Sequence, residues 1–205
     1  MNISIIIPYV YDRGFLNEAI KSIYEQTYPI EKIQIILSKS DNGVSTNFNN
    51  GLNEVTTDLV RYLCDDDLLT TNSVEDTINY FKNNNVDFIH SNAYNFYEDG
   101  SFEEYIPKIK IPTLQDMLNK YMIHGGTVTY KTSCFNNRRF DEELWTGEEY
   151  DFNLWLLKNN YKIGYLNSFT YKYRRHKLQK SLGNDDKIYQ QKRQIEKDKI
   201  KQRYL

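Results

Sequence analysis

The sequence has little of several residue types, and each scarcity excludes a class of protein. Its two cysteines, Cys64 and Cys134, are far apart and lack the spacing of a metal site, which fits a reducing compartment better than a disulfide-stapled secreted domain. No apolar run approaches the ~20 residues needed to span a bilayer. The opening MNISIIIP is too short for a signal peptide and lacks basic residues. We therefore expect a cytoplasmic protein, with at most peripheral contact with the cytoplasmic face of a membrane.

An excess of charge of either sign is also absent. The 26 basic and 28 acidic residues leave a formal net charge of −2. Nucleic-acid-binding proteins show a clear basic excess, so we expect no nucleic-acid partner. The 205 residues are enough for one domain with a buried core, and the hydrophobic content of 40% argues against extensive disorder.

Apolar runs and helical stripes alternate along the first half of the chain. The runs are typical of strands buried on both faces of a parallel sheet, and they lie at 3–8, 33–37, 59–64 and 86–90. Helices are predicted at 15–26 and from Ser73, which we expect to cap its helix with Asp76 three residues on. The polar segment 38–51 is typical of turns. This alternation predicts a doubly wound α/β sheet with its ligands beyond the carboxyl ends of the strands.

The second half is less regular. The predicted elements are a strand at 127–131, a helix at 152–157, a strand at 163–166 and an earlier helix with the apolar stripe Leu114, Met117, Leu118 and Tyr121. From Gly183 the chain is mostly charged or amide residues and predicts a solvated helix or a frayed tail. We therefore divide the chain into a domain at 1–182 and a charged C-terminal helix or tail at 183–205.

Three consecutive carboxylates, Asp65, Asp66 and Asp67, follow a predicted buried strand. Like charges this close repel one another, and a divalent cation removes that penalty. Oxygen ligands suit Mg²⁺ or Mn²⁺, which also bind substrate phosphates. The alternative is a polar turn or a helix N-terminus at which the acids balance the dipole.

A second acidic cluster, including Glu148 and Glu149, begins the predicted helix at 152–157. Acids at a helix N-terminus are favoured by the dipole alone, but a carboxylate near a bound phosphate is also a natural general base. Upstream, Gly125 and Gly126 either let the backbone approach a ligand closely or belong to a simple loop.

A basic patch lies near the end of the predicted domain. It contains Lys172, Arg174, Arg175, His176, Lys177 and Lys180. Such a patch beside an acidic metal site would complement a pyrophosphate, whereas by itself it is typical of a solvated face.

Four segments, taken in order, resemble a known family. They are IIIPYVYDRGFLNEAIKSIYEQTYP, YLCDDDLL, RRFDEELWTGEEYDFNLWLL and YRRH. Together they are similar to the family-two glycosyltransferases of the GT-A fold, from about Ile3 to Ser181. The resemblance implies an α/β GT-A fold with a mixed, mostly parallel sheet and flanking helices.

The resemblance also implies roles for particular residues. Asp66 corresponds to the acid that holds the metal, Asp65 beside it contacts the ribose or nucleotide, and Asp67 lies in the same loop. Glu149 occupies the position of the general base, with Glu148 preceding it. His176 is implied to complete the contacts to the metal or the diphosphate.

The remaining implied contacts are to the nucleotide-sugar. The end of the first strand, Pro8 and Tyr9, reaches the nucleoside. Tyr11, Gly126 and Arg174 are assigned to the same ligand. The chain departs from the family at the turn after the second strand. There an acidic D-D-G-S, whose Asp contacts the base of the donor nucleotide in the family, is replaced by the segment from Ser38 to Asp41. We therefore expect Asp41, or the backbone at Ser38 and Lys39, to contact the donor base instead. The second departure is a Glu, Glu149, in place of the family's Asp at the position of the general base.

The implied activity is transfer of a sugar, with inversion, from a nucleoside diphosphate donor to an acceptor hydroxyl. UDP-sugars are the favoured donors, Mn²⁺ or Mg²⁺ is the expected cofactor, and the acceptor is a glycan, a lipid-linked molecule or a protein. A catalytically inactive module that binds sugar nucleotides is the alternative. A nucleotidyltransferase would carry a Gly-rich loop after the first strand, and a phosphatase with an aspartyl nucleophile would carry its acids there. The sequence leaves the oligomeric state open.

Overall fold

A computed structural model describes residues 1–119, 123–177, 179 and 187–205. Within these ranges the chain forms eight strands, which are β1 Ile3–Tyr9, β2 Ile33–Lys39, β3 Leu59–Tyr62, β4 Leu68–Leu69, β5 Phe88–Tyr97, β6 Phe102–Tyr105, β7 Thr129–Lys131 and β8 Ile163–Arg175. The α-helices are α1 Leu16–Tyr24, α2 Val44–Leu52, α3 Ser73–Asn83, α4 Leu114–Asn119, α5 Glu148–Lys158 and α6 Lys187–Gln202.

All of these strands belong to one mixed sheet. Its order is β2-β1-β3-β7-β5-β8-β4, and β6 pairs with β5 off this path. The long ladders, β1 with β2 and β5 with β8, are parallel, as is β1 with β3. The antiparallel ladders are only two to four residues long. The predicted mixed, mostly parallel α/β sheet with flanking helices is therefore confirmed.

The sheet is buried on both faces, as the apolar run of β1 predicts. Because successive side chains point to opposite faces, Ile6 packs in one core cluster while Ile5 and Ile7 pack in the other. The first cluster contains Phe48 of α2 and Phe152 of α5. The helices thus cover the sheet and leave its edge at the ends of β1 and β3 open for a site.

The prediction of a turn for all of 38–51 is wrong, because α2 occupies its second half. Tertiary contacts outweigh the turn preference of asparagine here. The Asn47 side chain donates to the carbonyls of Tyr9 and Ser40, at 3.1 and 3.0 Å, and the Asn49 side chain donates to that of Phe140 at 2.9 Å. These bonds use the buried amide nitrogens of both side chains and fix α2 against the sheet.

The predicted cap of α3 is also wrong. The N-cap residue is Asn72, whose side chain makes no capping hydrogen bond, and the amide of Val74 donates instead to Oε1 of Gln26 at 2.9 Å. Ser73 instead accepts a hydrogen bond from Arg61 (Nη1 to Oγ, 3.0 Å), in the buried interior. The Ser73 hydroxyl therefore accepts a hydrogen bond from a buried cation. Leaving that cation without a partner would cost more free energy than losing a helix cap, because solvent can replace a cap.

The C-terminal part of the fold is more regular than the sequence predicts. β8 is much longer than the predicted strand, so Arg174 lies on a strand. The boundary at 182/183 and the stripe residue Tyr121 lie outside the described residues. From Lys187 the chain is helical, and the end of α6 is buried, since Ile200 is 0% exposed. Among the residues described, no helix is both long enough and apolar enough to cross a membrane.

Candidate active site

A cleft of about 570 Å³ opens at the carboxyl ends of β1 and β3. Pro8 at the end of β1 lines it, together with residues 64–67 after β3, which we call the acid loop. Glu148 and Glu149, from the first turn of α5, line the same cleft. The topology therefore brings the two predicted acidic clusters, some 80 residues apart in sequence, to one place.

The side chain of Arg13 bridges two carboxylates of the acid loop. Its Nη2 atom donates to Oδ1 of Asp65 at 2.7 Å and to Oδ2 of Asp66 at 2.9 Å. Burial raises the pKa of the Asp65 carboxyl, although the Arg13 charge and hydrogen bond oppose this shift. Arg13 thus offsets part of the repulsion that the sequence predicts for the acid triplet.

Asp67 faces inward, away from Arg13. Its Oδ2 accepts a hydrogen bond from the Tyr171 hydroxyl at 2.7 Å, and its Oδ1 accepts one from the backbone amide of Arg174 at 2.8 Å. Burial, followed by the charge of Asp66, raises the pKa of Asp67 well above its usual value. Both oxygens tie the acid loop to β8, so Asp67 holds the loop in position.

The surroundings of Asp66 fit a divalent cation. Nε2 of His176 lies 3.1 Å from Oδ2 of Asp66, the same oxygen that accepts from Arg13. Among the described residues, Cys64, Asp66 and Asp67 each place one potential ligand atom within 4.8 Å of the others. Carboxylate oxygens and an imidazole nitrogen suit Mn²⁺, and the carboxylates suit Mg²⁺. The contact with Arg13 shows that these oxygens already attract a cation.

Glu149 also lines the cleft, and a neighbour on the sheet holds it in place. The hydroxyl of Tyr62 donates a short hydrogen bond to its Oε1. α5 starts directly after Gly147, which has a left-handed backbone (φ 84°). Gly125 faces the pair, because a Cβ built there would lie 2.4 Å from Oε1 of Glu149 and 2.8 Å from the Tyr62 hydroxyl. One oxygen of Glu149 is therefore engaged, and its place depends on Gly125 having no side chain.

Gly126 lines the cleft and its carbonyl accepts a hydrogen bond from the buried Arg61. Nη2 of Arg61 donates to its carbonyl at 2.8 Å, and a Cβ at Gly126 would lie 2.3 Å from the Tyr171 ring. Arg61 is 0% exposed and lies over the Tyr171 ring, 5.8 Å from its centroid. Burial lowers the pKa of Arg61 to about 10. Arg61 thus fixes the glycine backbone and the tyrosine that holds Asp67.

The structure brings some of the predicted site residues together and places others elsewhere. Those that line the cleft are Pro8, Asp65, Asp66, Asp67, Gly126, Glu148 and Glu149. Those that do not line this cleft, as far as the described residues show, are Tyr9, Tyr11, Ser38, Asp41, Arg174 and His176. The last two lie behind the acid loop, where Arg174 donates through Nε to the carbonyl of Asp66 at 2.8 Å. The ligand roles assigned to these residues stay predictions.

Several cleft residues were not predicted from the sequence. They are Arg13, Tyr62, His124, Tyr171, Tyr173, Arg193 and Lys197, whereas Arg175 belongs to the predicted basic patch. Arg13 sits in the loop after β1, where its charge is a detectable signal beside an acid-rich site. Tyr62 reads as one more apolar strand residue, and Arg193 and Lys197 lie in a segment that reads as solvated. Only the tertiary fold brings these residues to the cleft.

Comparison with known proteins agrees with this geometry. The family model described as Glycosyl transferase family 2 matches residues 30–145, more than half of the chain. The chain belongs to glycosyl transferase family 2, as the resemblance of its motifs predicts.

Among individual proteins, the chain is similar to the minor teichoic acid biosynthesis protein GgaB of Bacillus subtilis (strain 168), with 24% identity over 83% of this chain. The chain spans only 23% of that relative's length. It is also similar to S. aureus TarS 1-349 in complex with UDP-GlcNAc (TM-score 0.73, 16% identity, 100% of this chain and 72% of that chain). A third similarity is to the mannosyltransferase PcManGT from Pyrobaculum calidifontis in complex with GDP-Man and Mn²⁺ (TM-score 0.68, 12% identity, 96% of this chain and 62% of that chain). These structural similarities confirm the GT-A fold.

Proposed function

We propose that this chain transfers a sugar from a nucleoside diphosphate donor to an acceptor hydroxyl. The observation that carries this proposal is the placement of the acid loop and Glu149 in one cleft at the carboxyl edge of the sheet. Ligands bind at this edge in open α/β sheets. The complexes of TarS with UDP-GlcNAc and of PcManGT with GDP-Man and Mn²⁺ support a sugar-nucleotide donor, and we favour a UDP-sugar.

The donor would bind along the acid loop. Asp65 lines the cleft, as does Pro8, and would contact the ribose, while the nucleoside base would lie toward the end of β1 and β2. Ser38 is buried there and Asp41 is exposed. A base held at this edge would therefore contact the backbone near Ser38 and the carboxylate of Asp41.

Asp66 and His176 would hold Mn²⁺ or Mg²⁺, with Asp67 as a further candidate ligand. Such an ion would neutralise the charge that develops on the diphosphate leaving group. The chain's own contribution is to keep the Asp66 carboxylate in place, through Arg13 on the cleft side and through Arg174 behind the loop.

Glu149 is suited to act as the general base. It would accept the proton of the acceptor hydroxyl through the oxygen that Tyr62 does not engage. The acceptor oxygen would form a bond to the anomeric carbon while the bond from that carbon to the diphosphate oxygen breaks on the opposite face. The electron pair of the broken bond would leave with the diphosphate, and the anomeric configuration would be inverted. Glu148 lies beside the base at the entrance of α5.

The acceptor class is proposed from the similarity to GgaB. The name of the GgaB relative, a minor teichoic acid biosynthesis protein, favours a teichoic acid as the acceptor and a site of action at the cytoplasmic face of the membrane. Glycans, other lipid-linked molecules and proteins are the other acceptor classes to be assayed.

The test is donor turnover with the product followed by NMR. Wild-type protein with Mn²⁺ and an α-linked UDP-sugar should release or transfer the sugar as the β-anomer. Glu149→Gln should lower kcat by about 10²–10⁴-fold and retain affinity for UDP. Retention of configuration, or normal turnover by the Glu149→Gln variant, would contradict the proposed chemistry.

A further inference from the structure

Helix α6 carries its charges and its apolar residues in an unusual distribution. Arg193, Lys197 and Ile200 follow one another at helical spacing, so they share one face, and Tyr204 lies just beyond the end of the helix. Ile200 and Tyr204 are buried in the core. Arg193 and Lys197 continue the same face over the cleft, whereas Ile195 is 55% exposed. A helix that only covered the domain would place isoleucine inward and the cations outward.

The C-terminal end of α6 is firmly attached to the start of α5. The Tyr204 hydroxyl donates to the Asp151 carbonyl at 2.9 Å, and Nη1 of Arg203 donates to Oδ2 of Asp141 at 2.8 Å. Gly147, which lines the cleft, leaves room for Ile200, since a Cβ built there would lie 3.0 Å from its Cδ1 atom. These contacts fix the direction of the helix, so Arg193 and Lys197 are held on the cleft wall.

A third cation, Arg175 at the end of β8, lines the same cleft. We call Arg175, Arg193 and Lys197 the basic wall. Neither Arg175 nor Arg193 forms an ion pair within the part of the chain that the structure describes. Burial lowers the pKa of Lys197, and the nearby charge of Arg193 adds to this effect. An anion bound in the cleft beside Arg193 and Lys197 would offset the repulsion between these two charges.

Two other cations near the acid loop, Arg13 and Arg174, already form ion pairs with carboxylates. Arg13 bridges Asp65 and Asp66, and Arg174 donates to Glu18 Oε2 at 2.6 Å as well as to the loop backbone. The basic wall is therefore a second and separate group of positive charges. A donor diphosphate at Asp66 would be balanced there by the divalent cation, so the charges of Arg175 and Arg193 are suited to a different anion.

We propose that the basic wall binds a phosphate group of the acceptor and so presents the neighbouring acceptor hydroxyl to Glu149. The acceptor class is then a phosphodiester-bearing molecule, such as a polyol-phosphate chain, and not a neutral glycan. This inference rests on the proposed transferase function. The wall lies outside residues 30–145, the part that the family model matches.

The first experiment measures direct binding without donor or metal. A glycerol-phosphate oligomer is titrated into wild-type protein, into the double variant Arg193→Gln/Lys197→Gln and into the control Lys192→Gln, an exposed cation on the same helix. The wild-type and control proteins should bind it, more weakly as salt rises from ~50 to ~300 mM. The double variant should bind the oligomer with an affinity at least roughly tenfold lower than that of the wild type. The charge-preserving Arg193→Lys/Lys197→Arg variant should recover part of the affinity. Equal binding by wild type and the double variant would overturn the proposal.

A second measurement separates the two possible sources of phosphate. The double variant should keep its Kd for UDP with Mn²⁺ within about threefold of the wild-type value, while its KM for the oligomer acceptor rises roughly tenfold. An equal loss of UDP affinity would assign the wall to the donor diphosphate and overturn the acceptor assignment. If wild-type protein binds the oligomer through the wall but binds no nucleotide, the transferase function fails while the anion site stands.

Discussion

The hydroxyl of Tyr62, on a buried central strand, donates a hydrogen bond to Oε1 of Glu149, on the first turn of α5. Tyr62 is itself held by edge-on contacts with Phe48 and Phe140, with ring centroids 5.5 and 6.4 Å apart. The core of the sheet therefore sets the position of the proposed base. One carboxylate oxygen is occupied by the tyrosine, which leaves the other for the acceptor hydroxyl.

Substitution Tyr62→Phe removes this hydrogen bond but keeps the aromatic packing. We expect kcat to fall roughly 10-fold, because the base loses its orientation, while the Kd for UDP stays the same. The free energy of unfolding should fall by about 1 kcal/mol. A double-mutant cycle supplies the control, since Tyr62→Phe should have no further effect on kcat in a Glu149→Gln background. Additive losses would show that Tyr62 acts independently of Glu149.

The two neighbouring glycines should respond differently to alanine. Gly125→Ala places a Cβ against Oε1 of Glu149 and should lower kcat roughly 10- to 100-fold. Gly126→Ala places a Cβ against the Tyr171 ring in the core and should cost about 1–3 kcal/mol of stability. Steady-state kinetics and urea unfolding of both variants test this contrast. A Gly125→Ala protein with wild-type kcat would show that Glu149 is not positioned as described.

Arg13 and a divalent cation should compete for the acid loop. Arg13→Gln removes the guanidinium that contacts Asp65 and Asp66, so Mn²⁺ binding in the absence of nucleotide should become tighter. Asp66→Asn removes the central carboxylate and should weaken Mn²⁺ binding roughly tenfold or more. Titrations followed by the EPR signal of free Mn²⁺ measure both effects. Unchanged Mn²⁺ affinity in the Asp66→Asn variant would place the metal elsewhere.

His90 should make stability depend on pH. Burial lowers its pKa from 6.5 to about 4, against the raising effect of its hydrogen bond to the Lys110 carbonyl (2.7 Å). Between these two values the unfolded chain binds a proton that the folded protein does not, so stability is full above pH 6.5 and falls as the pH drops toward 4. His90→Gln should reduce this slope by about 1 kcal/mol per pH unit, measured by urea unfolding at several pH values. An unaltered slope would mean that His90 is protonated in the folded state.

Much of the fold and the centre of the site could be predicted from the sequence. The apolar run of β1 indicates a strand buried on both faces, and the charges of Asp65, Asp66 and Asp67 after another such run indicate a ligand site at the strand ends. Both signals are local, because they depend on residues that are adjacent in the chain. The family membership follows from four such local signals in order.

The rest depends on contacts between distant residues. Asn47 and Asn49 read as turn residues, but in α2 they donate hydrogen bonds to the carbonyls of Tyr9 and Phe140, contacts that the local sequence does not reveal. Likewise, Arg193 and Lys197 read as part of a solvated segment. Their position on the cleft is set by Ile200 and Tyr204, which dock into a core that the sequence pattern does not reveal.

The central claim is that the acid loop binds a sugar-nucleotide through a divalent cation. Its most direct test is a calorimetric titration of wild-type and Asp66→Asn protein with UDP, GDP, CMP and dTDP, with Mn²⁺ and again with EDTA. We predict that one nucleotide, UDP, binds the wild-type protein only when Mn²⁺ is present, and that Asp66→Asn abolishes this binding. If folded wild-type protein bound none of the four nucleotides, the claim would be contradicted.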